Sequence, residues 1–104
     1  MMVGGLAYMR LKILDRKPNE ITLEIEGERH TFCNLLESVL LEDEDVEFAS
    51  YNIAHPLISH PIMRVRTNGN KSPEEALKAA IKKIIERGRE LRSEFEKALK
   101  AAPT

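Results

Sequence analysis

Residues 73–101 carry a helical pattern too long for any domain this chain can build. Ser72-Pro73-Glu74-Glu75 combines an N-cap serine, a proline at the first helical position and a glutamate at the capping-box position. Beyond it, Leu77, Ile81, Ile84, Gly88, Leu91, Phe95, Ala98 and Ala102 are spaced 4-3-4-3-4-3-4, which is a heptad seam. Ile85 and Leu99 widen it. A helix over this span is about 43 Å long at ~1.5 Å per residue. The chain has 104 residues, enough for one domain and one core. Such a domain has a radius of gyration of about 13 Å and is roughly 30–35 Å across. The helix must therefore overhang, yet its apolar stripe does not fade. Leu77 to Ile85 have a core to cover. Leu91, Phe95 and Leu99 call for a partner, because leaving them in water forgoes about 1.5–3 kcal/mol each. Gly88 costs about 1 kcal/mol in a helix interior; it marks a tolerated bend or a close approach by another helix.

The rest of the chain reads as two strand pairs and one more helix. Met9, Leu11 and Ile13 alternate with Arg10 and Lys12, the period of a half-buried strand. Pro18-Asn19 marks a turn, and Ile21, Leu23 and Ile25 then alternate with Thr22, Glu24 and Glu26, completing a hairpin. The period changes after Gly27. Phe32, Leu35, Leu36, Val39 and Leu40 recur as on an amphipathic helix, with Thr31 placed as its N-cap; Leu41 falls on the opposite side. Glu42-Asp43-Glu44-Asp45 ends the helix and reads as a solvated acidic loop. Val46 to Ile53 forms a third strand, rich in β-branched and aromatic residues. Its alternation slips between Phe48 and Ala49, where a bulge is expected. His55-Pro56-Leu57 and His60-Pro61 break it, and Met63, Val65 and Thr67 alternate with Arg64 and Arg66 in a fourth strand. The fold class is α+β: a two-layer ββαββα domain, with an antiparallel-type sheet covered on one face by two helices, the second one long. Residues 1–8 lack the basic flank and length of a secretory signal and read as a flexible N-terminal extension, with the domain occupying 9–104.

Composition narrows the function. The formal net charge is −1, whereas a domain that grips DNA through its phosphates wants a basic face; strong direct nucleic-acid binding is not expected. No apolar run is long enough to span a membrane. One cysteine excludes an internal disulfide and fits a cytoplasmic setting. His30-x-x-Cys33 and His55-x4-His60 have tolerable metal spacings. No CxxC or HExxH arrangement accompanies them, so caps, turns and core packing explain these residues better. Arg10, Lys12, Arg64 and Arg66 fall on the strand side that also carries Glu24 and Glu26, the mixed-charge outer face of the sheet. There is no glycine-rich phosphate loop, no nucleophile elbow and no carboxylate pair in apolar surroundings. The expectation is a chain without catalytic residue, metal or cofactor.

One ordered set of motifs runs through the chain from about Met9 to Lys100. It comprises His30-Thr31-Phe32-x-Asn34-Leu35-Leu36, Leu40-Leu41-Glu42-Asp43, Val46-x-Phe48-Ala49-x-Tyr51, His55-Pro56-Leu57, Arg64-Val65-Arg66-Thr67 and Ser72-Pro73-Glu74-Glu75-Ala76-Leu77. This set resembles the subunit L family of archaeal DNA-directed RNA polymerase. Those subunits are related to the small alpha-like subunits of eukaryotic polymerases and to the amino-terminal domain of bacterial alpha. His30, Thr31, Phe32, Asn34, Leu36, His55 and Pro56 carry the most specific part of the match. Cys33 and Glu37 depart from it, standing where a small residue, often glycine, and arginine are common.

The resemblance implies a non-catalytic assembly subunit in transcription. It would heterodimerise with the larger alpha-like subunit of the polymerase, called D in archaea. The pair would be the platform for the two large catalytic subunits, which hold the nucleotidyltransferase site. By position in the family, the partner interface would take Asn34, Leu35, Val39 and Leu41 from the first helix and Ile84, Gly88, Leu91, Phe95 and Leu99 from the second. Two other readings use the same residues. A self-sufficient homodimeric α+β binding module would close the heptad seam on a second copy. A small α+β enzyme of acylphosphatase-like size would need a basic residue in a nest of backbone amides, and the loops here lack glycine clusters.

Overall fold

The structure, a computed structural model, describes residues 10–27, 30–53 and 60–103. Its elements are β1 (Arg10–Lys17), β2 (Glu20–Glu26), α1 (His30–Leu40), β3 (Val46–Asn52), β4 (Ile62–Thr67) and α2 (Pro73–Ala101). The strands form one antiparallel sheet in the order β1-β2-β4-β3. This is the ββαββα α+β fold that the alternation predicts. Residues 1–8, Met9, His55 and Pro56 lie outside the described residues.

Register explains how the sheet sorts its side chains. Ile21 pairs with Val65 and Leu23 with Met63, while Ala49 pairs with Val65 and Tyr51 with Met63. Partners across an antiparallel pair share a face, so these residues line one side and are buried or half-buried. Arg10 opposite Glu26, Lys12 opposite Glu24 and Phe48 opposite Arg66 lie on the other. There Glu20 meets Arg66 at 3.1 Å and Arg64 at 3.8 Å, and the Arg66 guanidinium lies 5.5 Å from the Phe48 ring centre. The inner face joins Cys33, Leu36, Val39 and Leu40 of α1 and Ala76 and Ala80 of α2 in one core, with Phe32, Leu77, Ile81 and Ile84 packed at its margin.

Four local expectations need correction. α1 already includes His30, so Thr31 sits in its first turn and is not its cap. The irregularity in β3 falls between Val46 and Phe48, earlier than the expected slip between Phe48 and Ala49. Val46 and Ala49 both face the core, and an odd step between two inward residues requires one extra residue somewhere between them; exposed Glu47 takes that role. The acidic run is not simply solvated. Glu42 binds Arg87, Asp43 binds Lys71 at 2.6 Å, and Asp45 accepts from Asn68 at 3.1 Å. The first strand is not half-buried either: it runs to Lys17 with every residue exposed. β1 is the sheet edge that the helices leave bare, since they lie over β2, β4 and the other edge strand, β3.

α2 behaves as its sequence dictates. Ser72 accepts from the Glu75 backbone at 3.1 Å, and the Glu75 carboxylate accepts from the Ser72 backbone at 2.9 Å, closing a full capping box. From Ile85 to its end the helix is exposed on every side. That overhang stretches the molecule to 55 × 35 × 23 Å and its radius of gyration to 16.1 Å, above the ~13 Å of a compact domain this size.

Candidate partner interface

The overhang presents a row of large apolar side chains to water. Leu91 is 71% exposed, Phe95 64% and Leu99 65%, values normally found for charged residues and not for a leucine row. Charged neighbours keep the rest of this segment hydrated. Arg92 pairs with Glu96 and Lys97 with Glu94, contacts that favour the helix by only a few tenths of a kcal/mol each.

Toward the body, the same stripe becomes the wall of a groove. Leu77, Ile81, Ile84 and Ile85 of α2 face Phe32 and Leu36 of α1 across it. Leu23 and Ile25 of β2 and Leu11 of β1 complete the lining of this open groove, whose volume is about 430 Å³. Among the described residues, Lys78 is the sole charged one lining it. The groove exists because β1 extends the sheet's apolar face past the helices. Leu11 pairs with Ile25 and Ile13 with Leu23, so both lie on the core side, yet they remain 61% and 48% exposed. Groove and overhang share the Leu77, Ile81, Ile84 seam and form one continuous apolar surface.

The helix pair behind this surface is in direct contact. Ala76, Ala79 and Ala80 let α2 approach Val39 and Leu40 of α1 closely. Arg87 makes a two-pronged contact with Glu42 at 2.9 and 2.5 Å, just before the overhang leaves the body. That hydrogen bond holds the Glu42 carboxyl below its ordinary range and raises Arg87. At the next residue, the Lys71 ammonium holds Asp43 down, with help from the Asp45 backbone amide. His30 spends its Nδ1 on the Tyr51 hydroxyl, 2.9 Å away, and Cys33 is fully buried. Among the described residues, no three His, Cys, Asp or Glu side chains come together as metal ligands would.

The residues assigned to the interface by position do not form one patch. Ile84 lies in the groove, and Gly88, Leu91, Phe95 and Leu99 follow along the overhang. Leu35 is 45% exposed, one helical turn from Phe32. Asn34 and Leu41 are exposed seven residues apart, on the side of α1 away from the core. Val39 is only 2% exposed: its side chain supports α1 against α2 and is not offered to a partner. Leu11, Phe32, Leu36 and Ile85 were not singled out by position, yet they line the groove. For Leu11 the missing information was the strand order, since alternation alone does not tell an edge strand from a covered one.

Residues 20–94 match the family model described as the RNA polymerase Rpb3/Rpb11 dimerisation domain. The DNA-directed RNA polymerase subunit Rpo11 of Pyrococcus furiosus is 42% identical over 95 residues, covering 89% of this chain and all of the relative (100%). The Rpo11 of Methanococcoides burtonii is 43% identical over 91 residues, covering 88% and 99%. That of Archaeoglobus fulgidus is 49% identical over 77 residues, covering 74% and 88%. Among solved structures, DNA-directed RNA polymerase subunit L from Thermoplasma acidophilum superposes with a TM-score of 0.71 at 27% identity, covering 92% of this chain and 98% of that one.

Proposed function

The chain belongs to the RNA polymerase Rpb3/Rpb11 dimerisation-domain family, and on that premise we propose that it heterodimerises with the larger alpha-like subunit, called D in archaea. The pair then serves in the cytoplasm as the platform on which the two large catalytic subunits assemble. Residues 9–104 act as the dimerisation domain. The chain contributes no catalytic group of its own; nucleotide addition belongs to the large subunits. The observation that carries this reading is the continuous apolar surface from the groove into the overhang. Large apolar side chains gathered on one surface outside the core mark an interaction site.

In this arrangement the overhang of α2 lies against helices of the larger alpha-like partner, while the groove receives apolar side chains from the same chain. Leu91 and Phe95 lie far from the core described above, so they can be changed without disturbing the fold. The Leu91→Asp/Phe95→Asp double variant, co-expressed with the alpha-like partner, should fail to co-elute on size exclusion. Normal co-elution would move the interface elsewhere. A tight homodimer of the unmodified chain, undisturbed by that partner, would favour the homodimeric module.

A further inference from the structure

β1 leaves three kinds of surface without a partner. Its outer backbone edge is unpaired: the strand ends the sheet, and among the described residues none from Arg10 to Lys17 makes a backbone hydrogen bond outside the ladder to β2. Its core-side face carries Leu11 and Ile13, 61% and 48% exposed, and Leu14, at the register shift before Asp15, is 46% exposed. Its solvent-side face carries Arg10 and Lys12 opposite Glu26 and Glu24 of β2, and neither cation closes an ion pair among the described residues. The strand is nonetheless held in place, since Arg16 meets Glu74 of α2 at 3.0 Å. Charges and a bulge on an edge strand commonly keep other strands away. Here, however, the charges are sorted. From Arg10 to Ile13 the register with β2 is unbroken, with cations on one face and apolar residues on the other.

We propose that β1 accepts a fifth strand from another protein, an extended segment in which apolar and acidic residues alternate. Main-chain hydrogen bonds to the bare edge would supply affinity, and alternate side chains the specificity. Successive side chains of a strand point to opposite faces, so one segment meets both demands of β1. Its carboxylates lie beside Arg10 and Lys12, extending the alternation of sign that begins at Glu26 and Glu24. Its apolar side chains lie beside Leu11 and Ile13 and widen the floor of the groove. A helix leaves the N–H and C=O groups of the edge unpaired. A second copy of β1 brings four cations against one anion, and like charges directly opposite each other repel. The inference concerns the edge beside the groove and holds whether or not the overhang is the partner surface.

The test is a titration of the full chain, followed by amide NMR, with blocked peptides of about eight residues, an ordinary strand length. One alternates valine and glutamate, a second alternates valine and lysine, and a third carries the valines and glutamates in separate blocks. The valine–glutamate peptide should protect alternate backbone amides of β1 from hydrogen exchange, and its binding should weaken as salt is added. The lysine peptide should bind at least about tenfold more weakly, and Arg10→Gln/Lys12→Gln should remove most of that difference. No binding of the valine–glutamate peptide at millimolar concentration would show that the edge only repels strands, and would overturn the proposal. Equal binding of the glutamate and lysine peptides, or of the alternating and block peptides, overturns it as well. So does protection confined to Leu77, Ile81 and Ile84, which would place the peptide on the groove wall and not on the edge. The Leu91→Asp/Phe95→Asp variant should bind the valine–glutamate peptide unchanged. Its loss of the alpha-like partner tests the overhang alone, so either reading can fail without the other.

Discussion

Deleting residues 89–104 should leave the domain folded and remove its partner. The segment adds no residue to the core; every described residue in it is exposed. Its internal ties are the exposed pairs of Arg92 with Glu96 and Lys97 with Glu94, worth about 0.3–0.5 kcal/mol each. The contact between Arg87 and Glu42 remains, at the new helix end. The expected change in folding free energy is below about 1 kcal/mol, which corresponds to a melting shift under ~4–8 °C for a domain of this size. Binding responds on another scale. Leu91, Phe95 and Leu99 are 71%, 64% and 65% exposed. Full burial of such a side chain contributes about 1.5–3 kcal/mol, so covering the exposed two-thirds contributes roughly 1–2 kcal/mol each and ~3–6 kcal/mol together. Their loss weakens the complex about 100- to 10,000-fold. Circular dichroism melts of the isolated chain give the first quantity, and calorimetry with the larger alpha-like chain gives the second. A truncated chain that loses more than about 2 kcal/mol of stability would show that the overhang folds back onto the body. One that binds within tenfold of the full chain would show that the row is not the interface.

Two further tests concern the body that holds this surface. The Thr67 hydroxyl is buried without a hydrogen-bond partner among the described residues, so Thr67→Val should raise stability by about 1 kcal/mol in denaturant titration; a comparable loss would place an ordered water on that hydroxyl. Folding holds Asp43 below its ordinary value of 3.8, chiefly through Lys71, so its contribution is full above that pH and is lost as pH falls through the folded-state value. Asp43→Asn should therefore flatten the acid side of the melting profile, and an unchanged slope between about pH 5 and 2 would refute the linkage.

Most of the fold was legible because each element announces its own period. The switch from alternation at Ile21, Leu23 and Ile25 to helical spacing at Phe32, Leu36, Val39 and Leu40 placed β2 and α1. The Ser72 capping box placed the start of α2 at the residue. What the sequence did not reveal depends on contacts between distant elements. That β1 lies at the edge follows from β4 pairing with β2, and no local pattern around Leu11 encodes that choice. The same ignorance made Val39 look available. Its helical position is shared by core and flank, and only the placement of Ala76 and Ala80 beneath α1 decides between them. The acidic loop was misjudged because its counter-ions, Lys71 and Arg87, come from α2 and the turn before it.

The side chains of α2 divide according to what covers them. Where its own domain lies close, the fully buried helix residues are small: Pro73, Ala76 and Ala80. They bring the helix near the sheet and α1 but bury little apolar area of their own. The larger Leu77, Ile81 and Ile84 are left half-covered at the groove wall, and the largest row, Leu91, Phe95 and Leu99, reaches past the body altogether. A helix serving only this domain would place its leucines inward and end near Ile85. Here large apolar residues continue past the core as Leu91, Phe95 and Leu99, so much of what α2 could gain from burial is left unrealised by its own domain. Folding and assembly are thereby coupled along a single helix. Whatever binds the groove and the ridge also stabilises the inner turns, in proportion to the logarithm of partner concentration over its dissociation constant. The inner turns hold the helix against its own domain, the pair between Glu42 and Arg87 adds a tie at the margin, and in the proposed complex the outer turns supply the affinity.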